Sequence, residues 1–298
     1  MGSRCRARTL APHVDQRYTD RFHCRHKCGT RRRSMMRQKV ESGIWKFVAA
    51  VIFLFLFFPL FLVIVLSFNQ GGFVFPPSGF STEWYVSMLN DSDLISAFAL
   101  SMGIAIVTAI ITLPPVVIAS IAFRKKLVPG QQLLESVFLF PLMVPEVVLG
   151  FALLIYFTSW GITGSAIGIV LGHIMFTTPF ALQTILAAMK GVDTNIEDAA
   201  HDLGASSTQT LRHITIPMIK PAIIAGAGYV FILSFTNVTM TLFLVGSGTV
   251  TIPVEIYQYI SFSIDPTVSA VGSLLIVIST AVVVAIDRVF SVQEISGF

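Results

Sequence analysis

A carboxylate inside an apolar segment is the first place to look for chemistry in this sequence. Glu146 closes the run Pro141-Leu142-Met143-Val144-Pro145-Glu146. Two prolines four residues apart break the backbone hydrogen-bond ladder and kink a helix. A charge there is expensive in hydrocarbon, so Glu146 is expected to face the interior of a helix bundle or water. Two readings remain open. Glu146 is a pathway carboxylate that meets a cationic solute, or it lies near the membrane boundary and satisfies backbone N–H groups that the prolines free. A second polar group follows in Ser234-Phe235-Thr236-Asn237-Val238-Thr239-Met240-Thr241. On a helix, Asn237 shares a face with Thr241 and also with Ser234. Such a stripe either lines an uncharged, hydrogen-bonding path through Ser234, Thr236, Asn237 and Thr241, or holds helices together. His173 is expected to be a satisfied interior histidine rather than a proton relay.

The third polar group interrupts two apolar segments: Glu197-Asp198-Ala199-Ala200-His201-Asp202-Leu203-Gly204, then Ile214-Thr215-Ile216-Pro217. Asp193 or Thr194 can cap a helix start there. Acids early in that helix suit the positive end of its dipole. Gly204 can take the left-handed conformation that ends it. Ser206 or Ser207 can cap a second helix, with Pro217 and Pro221 on its far side. The expected product is a helix–Gly–helix elbow whose alanines let another surface approach closely. No phosphate-binding Gly-x4-Gly-Lys-Ser/Thr loop occurs anywhere in the chain, nor Gly-x-Ser-x-Gly or His-Glu-x-x-His. No catalytic, cofactor-binding or metal-binding residue is expected. Driving energy has to come from another protein.

Long apolar helices must position these groups. The sequence is 54% hydrophobic and 12% charged, whereas a soluble domain carries about 25% charged residues. Segments near 45–67, 95–123, 132–157, 164–189, 219–245 and 267–289 are each long enough to span a membrane, which takes about 20 apolar residues. Thirteen Lys and Arg lie between Arg4 and Lys46. The others are Arg124, Lys125 and Lys126 between spans 2 and 3, Lys190, Arg212 and Lys220 between spans 4 and 5, and Arg288 at the end of span 6. The three opposite loops contain none. An excess of positive charge marks the cytoplasmic side, so both termini and the elbow are expected there.

Residues 1–34 hold ten Lys and Arg and all three cysteines, without apolar periodicity. They are expected to be a disordered or mis-annotated extension, since Met35 and Met36 immediately precede a plausible shorter start. Without them the net charge of +4 becomes −4. The pI near 9.1 thus belongs to the tail, and no nucleic-acid partner is expected. His23, Cys24, His26 and Cys28 lack the second cysteine pair of a familiar zinc site.

The elbow carries a family resemblance. Asp198, Ala199, Ala200, Gly204, Ile214 and Pro217 fall on the pattern E-A-A-x3-G-x9-I-x-L-P, with Asp198 for its Glu and Ile216 for its Leu. This resembles the EAA loop of ATP-binding-cassette (ABC) importer permeases, where the membrane subunit meets its ATPase. The resemblance implies an all-α polytopic protein with six transmembrane helices and the type I importer permease fold. It implies that Glu197, Asp198, Ala199, Ala200, Gly204, Ile214 and Pro217 form the coupling loop of a permease domain over 35–298. From Trp45 to Phe290, with a core near 94–290, the chain is similar to the spermidine/putrescine importer class. Pro59-Leu60-Phe61, Ser67-Phe68-Asn69, Phe80 through Tyr85, Pro141 through Glu146 and Ile252 through Tyr257 carry that similarity. The class implies location in the bacterial inner membrane. It also implies a dimer of ATPase subunits, a second permease subunit that forms a heterodimer with this one, and a periplasmic solute-binding protein. One departure bears on the solute: several polyamine permeases have an acidic pair where this chain has Thr236-Asn237. Polyamine leads. Amino-acid derivatives, thiamine, iron and phosphonates are the alternatives. A stand-alone carrier would need inverted repeats or coupling carboxylates that the sequence does not display. A membrane anchor for an ATPase would leave Glu146 unexplained.

Overall fold

A computed structural model describes residues 43–72, 76–127, 129–262 and 266–295. The tail 1–34, with His23, Cys24, His26 and Cys28, lies outside the described residues. The chain divides into two compact units, 1–61 and 62–298. The described part of the first unit belongs to helix α1 (Gly43–Ser67). Its apolar side chains up to Phe61 are exposed, as on a lipid-facing helix, and those of 62–66 are half-buried.

In the second unit, short α2 (Glu83–Asn90) leads into α3 (Ser92–Arg124). The Asp91 carboxylate caps α3 by accepting from the N–H groups of Asp93 and Leu94. Pro114 and Pro115 lie inside α3, a position that membrane helices tolerate because packed neighbours support them. Next comes α4 (Gln131–Leu139), a 3₁₀ turn over Phe140–Met143, and α5 (Glu146–Ser159). Helix α6 (Ala166–Lys190) starts from a Ser165 cap. The elbow holds α7 (Thr194–Asp202) and α8 (Ser207–Thr210). A π-helical turn, Leu211–Thr215, joins α8 to α9 (Ile216–Phe235). After α9 come α10 (Thr241–Leu244), α11 (Ile252–Phe262) and α12 (Thr267–Ile295).

Among the described residues, five helices are long and apolar enough to cross a membrane, or six if the broken α4–α5 pair is one span. Two expectations need correction. Span 3 is not one kinked helix: it is two helices bent by 102°. Val144 is extended and Pro145 stands just before the second helix, so the proline pair stops the first helix and starts another. Span 5 does not reach residue 245. Helix α9 ends at Phe235, and residues 236–240 lie outside helix. The elbow's second helix also continues past Pro217 and Pro221 into span 5 as one helix, Ser207–Phe235. The π turn shifts the hydrogen-bond ladder by a residue just before Pro217, where an N–H is missing.

The interior is built from α3, α6 and α9. Val116, Phe123, Leu182, Ile185, Met189, Ile219 and Val230 form one apolar cluster. Ile104, Leu149, Leu153, Ile169, Met240 and Leu244 form a second that seats α5 and α10. Small residues allow the close approaches, as expected where lipid supplies no hydrophobic drive between helices. A Cβ on Gly246 would lie 2.6 Å from the Cα of Gly164, and one on Gly172 would lie 2.5 Å from Leu244 Cδ1. The Gly164-x3-Gly168-x3-Gly172 face therefore packs within this chain.

Candidate functional site

The break in span 3 meets the break in span 5. Glu146 opens α5. Asn237 lies in the irregular stretch after α9 and donates from Nδ2 to Glu146 Oε1. Its Oδ1 accepts from the backbone N–H of Thr241 at 3.2 Å and from Thr241 Oγ1 at 2.9 Å. Thr241 Oγ1 is 2.9 Å from His173 Nε2, and His173 Nδ1 is 2.7 Å from Ser234 Oγ. Ser234, His173, Thr241 and Asn237 are all buried. Glu146 is partly exposed. No Lys or Arg among the described residues pairs with it, and its Oε2 accepts no hydrogen bond from them.

Four of the five residues expected along a path thus come together. Thr236 does not. It is exposed and its hydroxyl donates to the Ile232 carbonyl at 2.8 Å. The shared helix face expected for Asn237 and Thr241 is absent too, because helix stops between Ser234 and Asn237. Asn237 reaches Thr241 by capping the turn that begins α10. His173 is a satisfied interior histidine, as expected, but it belongs to the same network. Its partners lie 61 and 68 positions away in sequence, and no local spacing reveals them.

The elbow has a different construction. Asp193 caps α7 through the Asn195 N–H. Ser206 and Gln209 form a reciprocal capping box at α8. Gly204 has φ +88°, and a Cβ there would meet nothing within 4 Å. It is chosen for its backbone, not for space. Asp198, Ala199, Gly204 and Pro217 are exposed; Ala200 and Ile214 are half-buried. Glu197 points inward instead. It is 7% exposed. Its Oε1 accepts from Arg124 Nη1 at 3.0 Å and from Thr215 Oγ1 at 2.6 Å, and Lys125 Nζ stands 3.5 Å from Oε2. Arg124 also donates to the Val192 carbonyl at 3.1 Å. Burial would raise the Glu197 pKa, but the Thr215 hydrogen bond and the Arg124 and Lys125 charges outweigh it and hold the carboxyl below its ordinary value. The sequence gives no sign of one further residue of note. Leu203, at the tip, is 89% exposed, an apolar side chain on an otherwise polar turn.

This architecture is that of the membrane subunit of an ABC importer. It matches a chain of a bacterial ABC transporter that imports alginate with a TM-score of 0.64 at 15% identity, covering 81% of this chain and 92% of that one. It matches a chain of the MetNI methionine ABC transporter with a TM-score of 0.54 at 17% identity, covering 67% and 97%. Residues 115–291 match the family described as binding-protein-dependent transport system inner membrane component, and the chain belongs to that family. It is 30% identical over 234 residues to the spermidine/putrescine transport system permease protein PotC of Escherichia coli (strain K12), covering 78% of this chain and 89% of that protein. To the putrescine transport system permease protein PotI of the same strain it is 30% identical over 245 residues, covering 80% and 87%. The chain is a multi-pass, inner-membrane permease subunit of an ABC importer and not an enzyme in its own right.

Proposed function

We propose that the solute is a polyamine, spermidine or putrescine, and that Glu146 meets one of its ammonium groups during passage. The observation that carries this reading is the state of Glu146. It sits where two spans break, takes one neutral donor and, among the described residues, has no second donor and no cation beside it. A carboxylate so placed favours a charge-assisted hydrogen bond from an ammonium. The similarity to PotC and PotI supports the same solute class. Thr236-Asn237 stands where several polyamine permeases have an acidic pair, and among the described residues it leaves Glu146 as the charge of this site.

The elbow, with Asp198, Ala199, Leu203 and Gly204 exposed and Ala200 half-buried beside them, is the docking surface for an ATPase dimer. A second permease subunit, different from this one, completes the pathway, and a periplasmic binding protein delivers the solute. The elbow and both termini face the cytoplasm, on the side where Lys and Arg gather.

The test is uptake of radiolabelled spermidine and putrescine in cells that make the whole transporter, normalised to assembled complex. Glu146→Gln keeps the shape and removes the charge. Uptake should fall while ATPase association stays intact. Uptake at the parent rate would overturn the reading.

A further inference from the structure

Every hydrogen bond in the buried network has one direction, and the chemistry of its members fixes it. A carboxylate oxygen and a backbone N–H have no choice of role: Glu146 Oε1 accepts and the Thr241 N–H donates. Both face Asn237, so Nδ2 lies toward Glu146 and Oδ1 toward Thr241. The Thr241 hydroxyl is 2.9 Å from that Oδ1. Its proton must point there, since two acceptors at that distance would repel. Thr241 Oγ1 then has only lone pairs left for His173, so Nε2 carries the imidazole proton. In the neutral imidazole the other nitrogen accepts, so Ser234 O–H donates to Nδ1. The order is Ser234 to His173 to Thr241 to Asn237 to Glu146, with each donor pointing toward the carboxylate. Bonds aligned this way strengthen one another in a dry interior.

The same bonds cross structural boundaries. His173 lies on α6 and is 1% exposed. It grips Ser234, in the last turn of α9, with one nitrogen and Thr241, at the start of α10, with the other. The irregular stretch 236–240 hangs between those two contacts.

We propose that His173 is a positioning residue of the path. It holds the ends of the 236–240 stretch, aims the Asn237 amide at Glu146 Oε1, and so leaves Oε2 as the oxygen that receives the solute's ammonium. His173 moves no proton and touches no solute in this arrangement. The inference rests on the reading of Glu146 given above.

The test measures KM and maximal rate for spermidine and putrescine uptake by the complete transporter, per assembled complex. His173→Leu removes both contacts. It should raise KM about tenfold, the size of one weakened hydrogen bond to a charged group, with maximal rate and basal ATP hydrolysis near the parent values. His173→Gln places an amide donor near Nε2 and should stay near the parent KM. Because His173 acts through Glu146, adding His173→Leu to Glu146→Gln should raise KM no further. If Glu146→Gln alone leaves KM unchanged, the cation reading falls and the role of His173 falls with it. If Glu146→Gln raises KM but His173→Leu does not, or the two effects add, only the role of His173 is overturned. Loss of assembled complex in His173→Leu, with His173→Gln also losing assembly, would show an ordinary packing role and overturn it too. Thr241→Val breaks the chain one link later and should match His173→Leu.

Discussion

Three donors close on the Glu197 carboxylate: a guanidinium, an ammonium and a hydroxyl. One neutral amide closes on Glu146. Glu197 sits in the elbow, a polar and largely exposed segment, yet it is buried and matched by cations. Glu146 sits among apolar spans, where a charge is dearest, yet no cation among the described residues accompanies it. A matched carboxylate is a fastener. It locks the end of α3, with Arg124 and Lys125, to the elbow. On the reading proposed above, an unmatched carboxylate among apolar spans takes its positive charge from outside the chain. The two acids differ not in residue type but in who completes them.

Breaking the fastener should have the largest effect. Glu197→Ala strands Arg124 and should cost about 2–3 kcal/mol. The expected readouts are a lower Tm in detergent and loss of ATPase co-purification. The same link fixes a pH dependence. A carboxyl whose folded pKa is depressed stabilises fully above its unfolded value, and that stability is lost as pH falls through the folded value. The protection factors of elbow amides, corrected for the slower intrinsic exchange in acid, should therefore fall on acidification below the ordinary carboxylate range, and Glu197→Gln should abolish that dependence.

Leu203→Asp separates the elbow's outward surface from its inward pin. It should leave Tm unchanged and weaken ATPase association by about 2 kcal/mol, the scale of an interface hot spot, measured by titration of the purified complex. Glu146→Gln should raise KM about tenfold without lowering Tm, the reverse of Glu197→Ala. A fall in Tm instead would make Glu146 a second fastener and erase the contrast. The smallest effect belongs to Gly204→Ala. It costs about 1–2 kcal/mol of left-handed strain and no steric clash. The readout is a modest loss of transport per complex, with Gly204→Asn milder still because Asn tolerates that conformation.

The elbow was largely legible because its signals are local. The Asp193 and Ser206 caps and the left-handed Gly204 each depend on residues a few positions away. The inward turn of Glu197 was not, since Arg124 lies 73 positions upstream. The break in span 3 announced itself through Pro141 and Pro145. The break in span 5 did not: no Gly or Pro follows Phe235, and Asn237 and Thr241 have the spacing of a helix face while meeting by a cap. Thr236 was misplaced for the same reason. Polar residues at helical spacing locate a site only if the helix continues through them.

The uninterrupted helix Ser207–Phe235 has a mechanical meaning. Its 29 residues make a rod of about 44 Å at about 1.5 Å per residue. One end lies at the elbow, the surface proposed above to dock the ATPase. The other stops two residues short of Asn237. A stiff rod cannot shorten, so a push at Ser207 emerges at Phe235, against the stretch that holds Asn237 to Glu146. The π turn at Leu211–Thr215, followed by Pro217 and Pro221, is where that rod departs from a regular ladder.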